Sequence, residues 1–562
     1  MKKPHLVWIA LLSLFVFHVI NNIVIILRDT TPFMADASDY YLKSFYYWKI
    51  LISFAKQGDF HLLDPLFHTG LGGQLLAFLI IPFFSIFGVS HDIAIIANQL
   101  FFLILILSIF GIGKILFHRN MGLLAAFIIS FYPSVFGFSR VYILTFPILA
   151  ISAACIYLLI RSDGFKNLKY SIYFGLAFAL GELLRPRFVI YIIFPILFYL
   201  IKNIINLCNG RIEAPIKLLA KKIIVNIFFS AVFSCALLFP WYSLGGIAGY
   251  LNNQSLWPSL PHFSKIISTF PYYLGVLFRL QLRWFFAAVF LVGLLLSLFD
   301  RDKRKKIYFL LAWFVFTLML LSSFGLKDFS QLIVPLCAPV VLISIAGLER
   351  LLRSKSGKRA LFFLIFFSLL QYFFISYDEG TFSLNGAQGR KYFERIILSQ
   401  GLLHANKGDW KIDEIISTFS TRRNFDKEFN WRHITNNLAY FKGFSMNDNS
   451  KDFIKILFIE FNGSPITNAI AERVFLKSLP ITCFCLYPED FDYKKLLSDR
   501  DLQHVVLGAD YVVKFTIRPE KSEFVTKILN IFDENAPKFE KLKTIETPWS
   551  ECSIYGRNVE KF

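Results

Sequence analysis

"LGGQLLAFLIIPFFSIFG", residues 71–88, is apolar throughout but short for a membrane crossing, and Pro82 stands in its middle. A helix needs about 20 apolar residues to traverse the hydrocarbon core of a bilayer. Each crossing reverses the side of every later loop, so the reading of these residues fixes the topology of the whole chain.

Around it the sequence is that of a polytopic α-helical membrane protein. Hydrophobic residues make up 56%, charged residues only 17%, and mean hydropathy is +0.54. Apolar runs at 5–27, 92–116, 122–138, 141–160, 168–184, 188–201, 223–244, 281–299, 307–324, 329–348 and 360–377 read as spans, about eleven in all. The first, after Lys2 and Lys3, has a long apolar core and no small-residue cleavage site after it, so it reads as an uncleaved anchor with its amino terminus inside. The net charge of +20 does not point to nucleic acid, because the cations sit in short loops between spans.

Those loops decide 71–88. If the segment does not cross, the loops on the cytoplasmic side are "FHRN" (117–120), "RSDGFKNLK" (161–169), "KNIINLCNGRIEAPIKLLAKK" (202–222), "DRDKRKK" (300–306) and "ERLLRSKSGKR" (349–359). These are the strongly basic ones, as the positive-inside rule requires. Residues 71–88 therefore read as a re-entrant or interfacial helix in a long first external loop, 28–90. The membrane domain is 1–377, and by parity 378–562 is external too.

In that carboxyl-terminal portion the composition turns to mixed charge and short apolar runs. Strands are expected at 454–461, 481–487 and 504–515, helices at 465–479 and 521–536, and a last strand pair near 539–557. This alternation predicts a small α/β layer domain. Cys483, Cys485 and Cys552 could pair in an oxidising compartment, although Cys483 and Cys485 are too close in sequence to bridge each other comfortably. No Walker loop, dinucleotide fingerprint, HExxH or GxSxG is present.

The chemistry is then sought at the external ends of the spans. "ASDYYLKSFYYWKILISFAKQGDF" (37–60) predicts a helix with Ser38 as N-cap and Gly58 at its end. Helical spacing puts Asp36, Asp39 and Lys43 on one face. Acids at a helix start also simply favour its dipole, and taken alone that is the more economical explanation. Cations kept on the less basic side shift the balance: Arg185 and Arg187 in "ELLRPR", Arg279 and Arg283 in "LFRLQLRW", and Lys327 in "GLKDFSQ". Snorkelling toward headgroups accounts for any one of them. Together they suggest an anionic ligand at the outer surface, with a lipid phosphate as the simplest candidate.

Here the residues carry a resemblance. The chain resembles a GT-C-fold glycosyltransferase of the branch holding protein O-mannosyltransferases and the lipid A aminoarabinose transferase. Such enzymes have an acid before an aromatic in a long first external loop, matched by "SDYY" with Asp39. "GDFHLLDP" (58–65) and "IIPFFSIFG" (80–88) match the rest of that loop, "PWY" falls at 240–242, and "GLKDFSQLIVPLCAP" (325–339) resembles a late lysine-containing segment. Two departures stand out: "FHTGLGGQ" (67–74) replaces an "EKPP" common in the aminoarabinose transferases, and Phe329 and Ser330 replace an Arg and a Tyr.

The resemblance implies inverting transfer of a sugar from a polyprenyl-phosphate donor to a hydroxyl of a lipid, glycan or protein acceptor. Asp39 would be the general base, and Asp36 would orient it or raise its pKa. Lys327, Arg185, Arg187, Arg279 and Arg283 would bind the donor phosphate. A divalent metal, with Asp39, His61 and His68 as possible ligands, is an open expectation; the two histidines are more simply polar loop residues. The implied location is a bacterial inner membrane, with the carboxyl-terminal domain periplasmic. A transporter or flippase of lipid-linked sugars would also need a helical bundle and phosphate-binding cations, but predicts charges near the bilayer midplane. A membrane scaffold or receptor gives no reason for acids and cations to gather at one loop.

Overall fold

The computed structural model describes residues 4–29, 36–63, 66, 72–208, 216–243, 263–299, 304–325, 330–352, 357–377, 414–415, 417–418, 454–459, 481–485, 511–515, 523–546 and 551–557. The chain divides into two compact units, residues 1–29 with 43–405 and residues 30–42 with 406–562.

The larger unit is a bundle of apolar helices. Among the described residues six are long and apolar enough to cross a membrane: His5–Ile26, His91–Leu116, Ala220–Trp241, Lys306–Ser323, Gln331–Glu349 and Gly357–Tyr377. Shorter apolar helices lie at Arg119–Ser130, Thr145–Arg161 and Ile193–Ile205. Each run read as a span thus holds a helix. One further helix, Phe263–Val276, falls in what reads as an external loop. With the π-turn after it, it forms a broken pair with Arg283–Leu298, bent by 117°. Phe362, Phe363, Phe366, Phe373 and Phe374 stay exposed on the last helix, as a lipid-facing surface requires.

Residues 71–88 contain a helix of 14 residues, Gln74–Phe87. At 1.5 Å per residue it reaches about 21 Å, short of a hydrocarbon core of about 30 Å. A hydrogen bond settles the parity independently. The Asn22 side-chain amide, near the end of the first helix, donates to Gln99 Oε1 at 3.0 Å, near the start of the second long one. The exit of the first span and the entry of the second lie at one depth, so the chain between them does not cross.

The remaining polar contacts sort in the same way. Among the basic loops, His118 pairs with Glu349 at 3.2 Å and Lys306 Nζ donates to the Leu116 carbonyl. The side chains of Asn203 and Asn226 donate to the Gly164 and Phe165 carbonyls at 2.8 and 2.7 Å. At the opposite ends of the helices, the Tyr377 hydroxyl donates to Asn21 at 2.6 Å, so the last span leaves the membrane on the side where the first one does.

Close helix packing rests on small residues. A Cβ on Gly347 would overlap the Gly293 carbonyl, and one on Gly293 would overlap the backbone of Ser344.

The second unit contains a five-stranded sheet in the order β2-β1-β3-β5-β4, with β1 Ile454–Ile459, β2 Ile481–Cys485, β3 Tyr511–Phe515, β4 Phe539–Glu546 and β5 Glu551–Arg557. The first three are parallel and the last two form an antiparallel hairpin with a bulge between Lys541 and Lys543. The helix Glu523–Glu534 presents Phe532 to Phe539 and Tyr555, with ring centroids 5.4 and 5.1 Å away. These are the expected strands and one of the expected helices; residues 465–479 lie outside the described residues. Cys552 is buried in β5, and the side chains of Cys483 and Cys485, which could pair with it, lie outside the described residues.

Gly347→Ala should destabilise the bundle by about 1–3 kcal/mol through overpacking. A lower apparent Tm in detergent, read by intrinsic fluorescence, is the expected result.

Candidate functional site

The helix after the first span runs Asp36–Gln57 and ends where Gly58, at φ 69°, turns the chain and donates its N–H to the Phe54 carbonyl at 2.8 Å. Helical geometry is regular from Asp36 onward, so Ser38 is a buried residue of the first turn and not the N-cap expected of it. Asp36 heads the helix; Asp39 is exposed and lies one turn before Lys43. Further along, burial and then the neighbouring Tyr47 push the Tyr46 hydroxyl up to about 12, so it is a neutral group at physiological pH.

Lys43 makes the contact that organises this end of the bundle. Its Nζ donates to the Gly72 carbonyl at 2.7 Å, while the Gly73 N–H donates to the Leu184 carbonyl, also at 2.7 Å. Gly72 and Gly73 have φ of 113° and 80°, conformations open to glycine and costly for other residues. A Cβ at Gly72 would lie 3.7 Å from both Leu184 O and Pro186 Cδ. The tandem glycine therefore lets the loop lie against the "ELLRPR" corner, with Lys43 on one side of the dipeptide and Arg185 beyond the other.

The corner itself is rigid. Arg187 is left-handed at φ 74°, and the Glu182 carboxylate accepts the N–H groups of Arg187 and Val189, each at 3.1 Å. Arg185 shares a hydrogen bond with the Tyr191 hydroxyl, and the Trp313 indole donates to the Tyr191 carbonyl at 3.1 Å. Trp241 of "PWY" meets Phe78 edge to face at 5.6 Å, and Phe78 meets Tyr47 at 5.0 Å. Edge-to-face contacts through Phe78 thereby link the tryptophan of "PWY" to the helix Asp36–Gln57.

Arg279 and Arg283 occupy a second place. Arg279 is exposed on the π-turn Leu277–Gln281. Arg283 sits at the break, φ 59°, with its Nε buried and without a hydrogen-bond partner among the described residues. This turn packs against Pro133–Phe138 and Ser330–Leu336. Lys327 and His68 lie outside the described residues. The stem of Lys265, on the unexpected helix Phe263–Val276, covers Gly325 at φ 72°, two residues before Lys327. Lys265 is a cation that sequence reasoning missed, because its helix reads as loop.

His61 is exposed in a short turn whose backbone is held by Asp59, with its N–H 3.0 Å from Oδ1. Among the described residues no three His, Cys, Asp or Glu side chains come together to hold a metal ion. His68, the third residue named for such a site, lies outside the described residues.

Residues 73–234 match the dolichyl-phosphate-mannose-protein mannosyltransferase family. No curated protein matches the sequence. Among solved structures, apo ArnT from Cupriavidus metallidurans is similar with a TM-score of 0.57 at 9% identity, over 98% of each chain. The same protein bound to undecaprenyl phosphate gives 0.56 at 10% identity over 98% of each chain. The Archaeoglobus fulgidus oligosaccharyltransferase, crystallised with Zn and sulfate, gives 0.49 at 14% identity, over 89% of this chain and 68% of that one. The fold is GT-C, as the sequence resemblance implies.

Glu182→Ala leaves two amides of the corner without their acceptor, a loss of about 1–3 kcal/mol. Thermal unfolding in detergent should place it below Glu182→Gln, which keeps one acceptor oxygen, with wild type highest.

Proposed function

We propose that this membrane protein of the GT-C fold is a glycosyltransferase that moves a sugar from a polyprenyl-phosphate donor to a hydroxyl acceptor at the outer membrane face, inverting the anomeric centre. The observation that carries the reading is the junction of Lys43, Gly72–Gly73 and Leu184–Arg185. It joins the helix bearing Asp39 to a cationic corner in a chain whose residues 73–234 match a family named for dolichyl-phosphate-mannose-dependent transfer. Support also comes from the similarly folded ArnT, a structure of which holds undecaprenyl phosphate.

In this reading Asp39 accepts the proton of the acceptor hydroxyl as its oxygen attacks the anomeric carbon. An alcohol is a weak nucleophile, and a positioned carboxylate base contributes roughly 10²–10⁴-fold. The bond to the lipid phosphate breaks at the same time, and the charge that develops on the phosphate needs fixed cations. Arg185 and Arg187 are set at the corner for this, with Arg279, Arg283 and Lys327 as the second group. Lys265 joins that second group by its place over Gly325. Asp36, three residues before Asp39 on the same helix, orients it. The carboxyl-terminal domain, 378–562, would then lie on the same side as the acceptor, in the periplasm of a bacterial inner membrane.

Two variants test this in purified membranes supplied with polyprenyl-phosphate sugars, with products identified by mass spectrometry. Asp39→Asn should lower transfer by at least about 10²-fold with expression unchanged. Lys327→Ala should raise the KM for donor; an unchanged donor dependence would remove Lys327 from phosphate binding.

A further inference from the structure

The turn "SRVY", 139–142, reads as punctuation between two spans, yet each of its residues is hydrogen-bonded to a distant part of the larger unit. Ser139 Oγ accepts from the Asn22 amide at 2.9 Å, and its carbonyl accepts from Gln99 at 3.2 Å. Arg140, buried to 5% exposure, donates from Nε to Asn22 Oδ1 at 2.8 Å, from Nη1 to Ser376 Oγ at 3.1 Å and from Nη2 to the Tyr372 hydroxyl at 2.9 Å. The Val141 carbonyl accepts from the Asn98 amide at 2.6 Å. The Tyr142 hydroxyl donates to the Leu76 carbonyl at 3.2 Å and lies 2.7 Å from Ser44 Oγ.

The last pair is the one that reaches the site. Tyr142 and Ser44 are both fully buried. A phenol has one proton. With that proton on Leu76 O, Tyr142 accepts from the Ser44 hydroxyl. One oxygen thus joins the first external helix, one residue past Lys43, to the helix that follows Gly72 and Gly73. Arg140 holds the same turn to the outer ends of the first and last spans, so the oxygen is anchored to the bundle.

We infer that Tyr142 is a positioning residue for transfer: through Ser44 and Leu76 it holds the part of the first external helix that carries Lys43 against the Gly72–Gly73 junction, on the helix whose first turn bears Asp39. This rests on the glycosyltransferase reading above. Tyr142 touches no reacting atom in this role. Its loss should therefore reduce turnover while leaving donor affinity in place, because a misplacement of about 1 Å in a reacting group costs up to about 10²-fold.

The test uses the full-length protein with Tyr142→Phe, which keeps the ring and removes the hydroxyl, Ser44→Ala, and the double variant. Each single change should lower kcat by about ten- to a hundredfold with the KM for polyprenyl-phosphate sugar unchanged. The double variant should be no worse than either single one, as expected of two groups acting through one bond. Hydrogen exchange over residues 43–57 should rise in all three. Wild-type kcat and exchange in Tyr142→Phe, or losses that multiply in the double variant, would overturn the inference. Asp39→Asn, assayed alongside, separates the two ideas: full transfer there sinks the underlying reading, whereas the exchange data still decide whether Tyr142 holds the helix.

Discussion

The hydrogen bond from the Asn22 amide to Gln99 holds two spans at one depth, and everything claimed for the outer face depends on that depth. Were the helix Gln74–Phe87 to cross, Gln99 would enter from the opposite side and the pair could not meet. The same Asn22 side chain also accepts from Arg140, so the residue that fixes the topology belongs to the hub that anchors the outer end of the bundle. Such polar groups are expensive in a membrane unless satisfied, and here they are satisfied by one another.

Depth then sorts the charges. Among the described residues of the basic loops, His118 meets Glu349 at 3.2 Å, Lys166 pairs with Asp163 at 2.8 Å and Lys306 donates to the Leu116 carbonyl. At the other end of the bundle Lys43 also donates to a backbone carbonyl, that of Gly72, whereas Arg283 Nε is buried with no hydrogen-bond partner among the described residues. The proposed displacement, with its anionic leaving group, calls for a base and for fixed cations.

Much of this was legible in the sequence. The lengths of the apolar runs placed the helices, the five basic loops gave the parity, and the alternation after 378 foretold the strands at 454, 481 and 511. Glycine patterns were read less well. The pair Gly72–Gly73 looks like a departure from a family motif, although its positive φ values are what allow the loop to approach Leu184. The helix Phe263–Val276 escaped because its 14 residues, with Lys265 and several polar side chains among them, are too short an apolar run to signal a span. Arg140 and Tyr142 escaped for a different reason: they sit between spans, and their partners are 66 to 236 residues away in sequence. No local pattern announces contacts of that separation.

The most direct measurement of the central claim is the sidedness of the helix Gln74–Phe87. In a cysteine-free background, single cysteines at Gln57 and Val89 flank it. A membrane-impermeant maleimide applied to the outer face should label both positions without permeabilisation. Labelling of Gln57→Cys alone, with Val89→Cys reactive only after the membrane is opened, would show that the segment crosses and would overturn the placement of Asp39 and the cationic corner on one side.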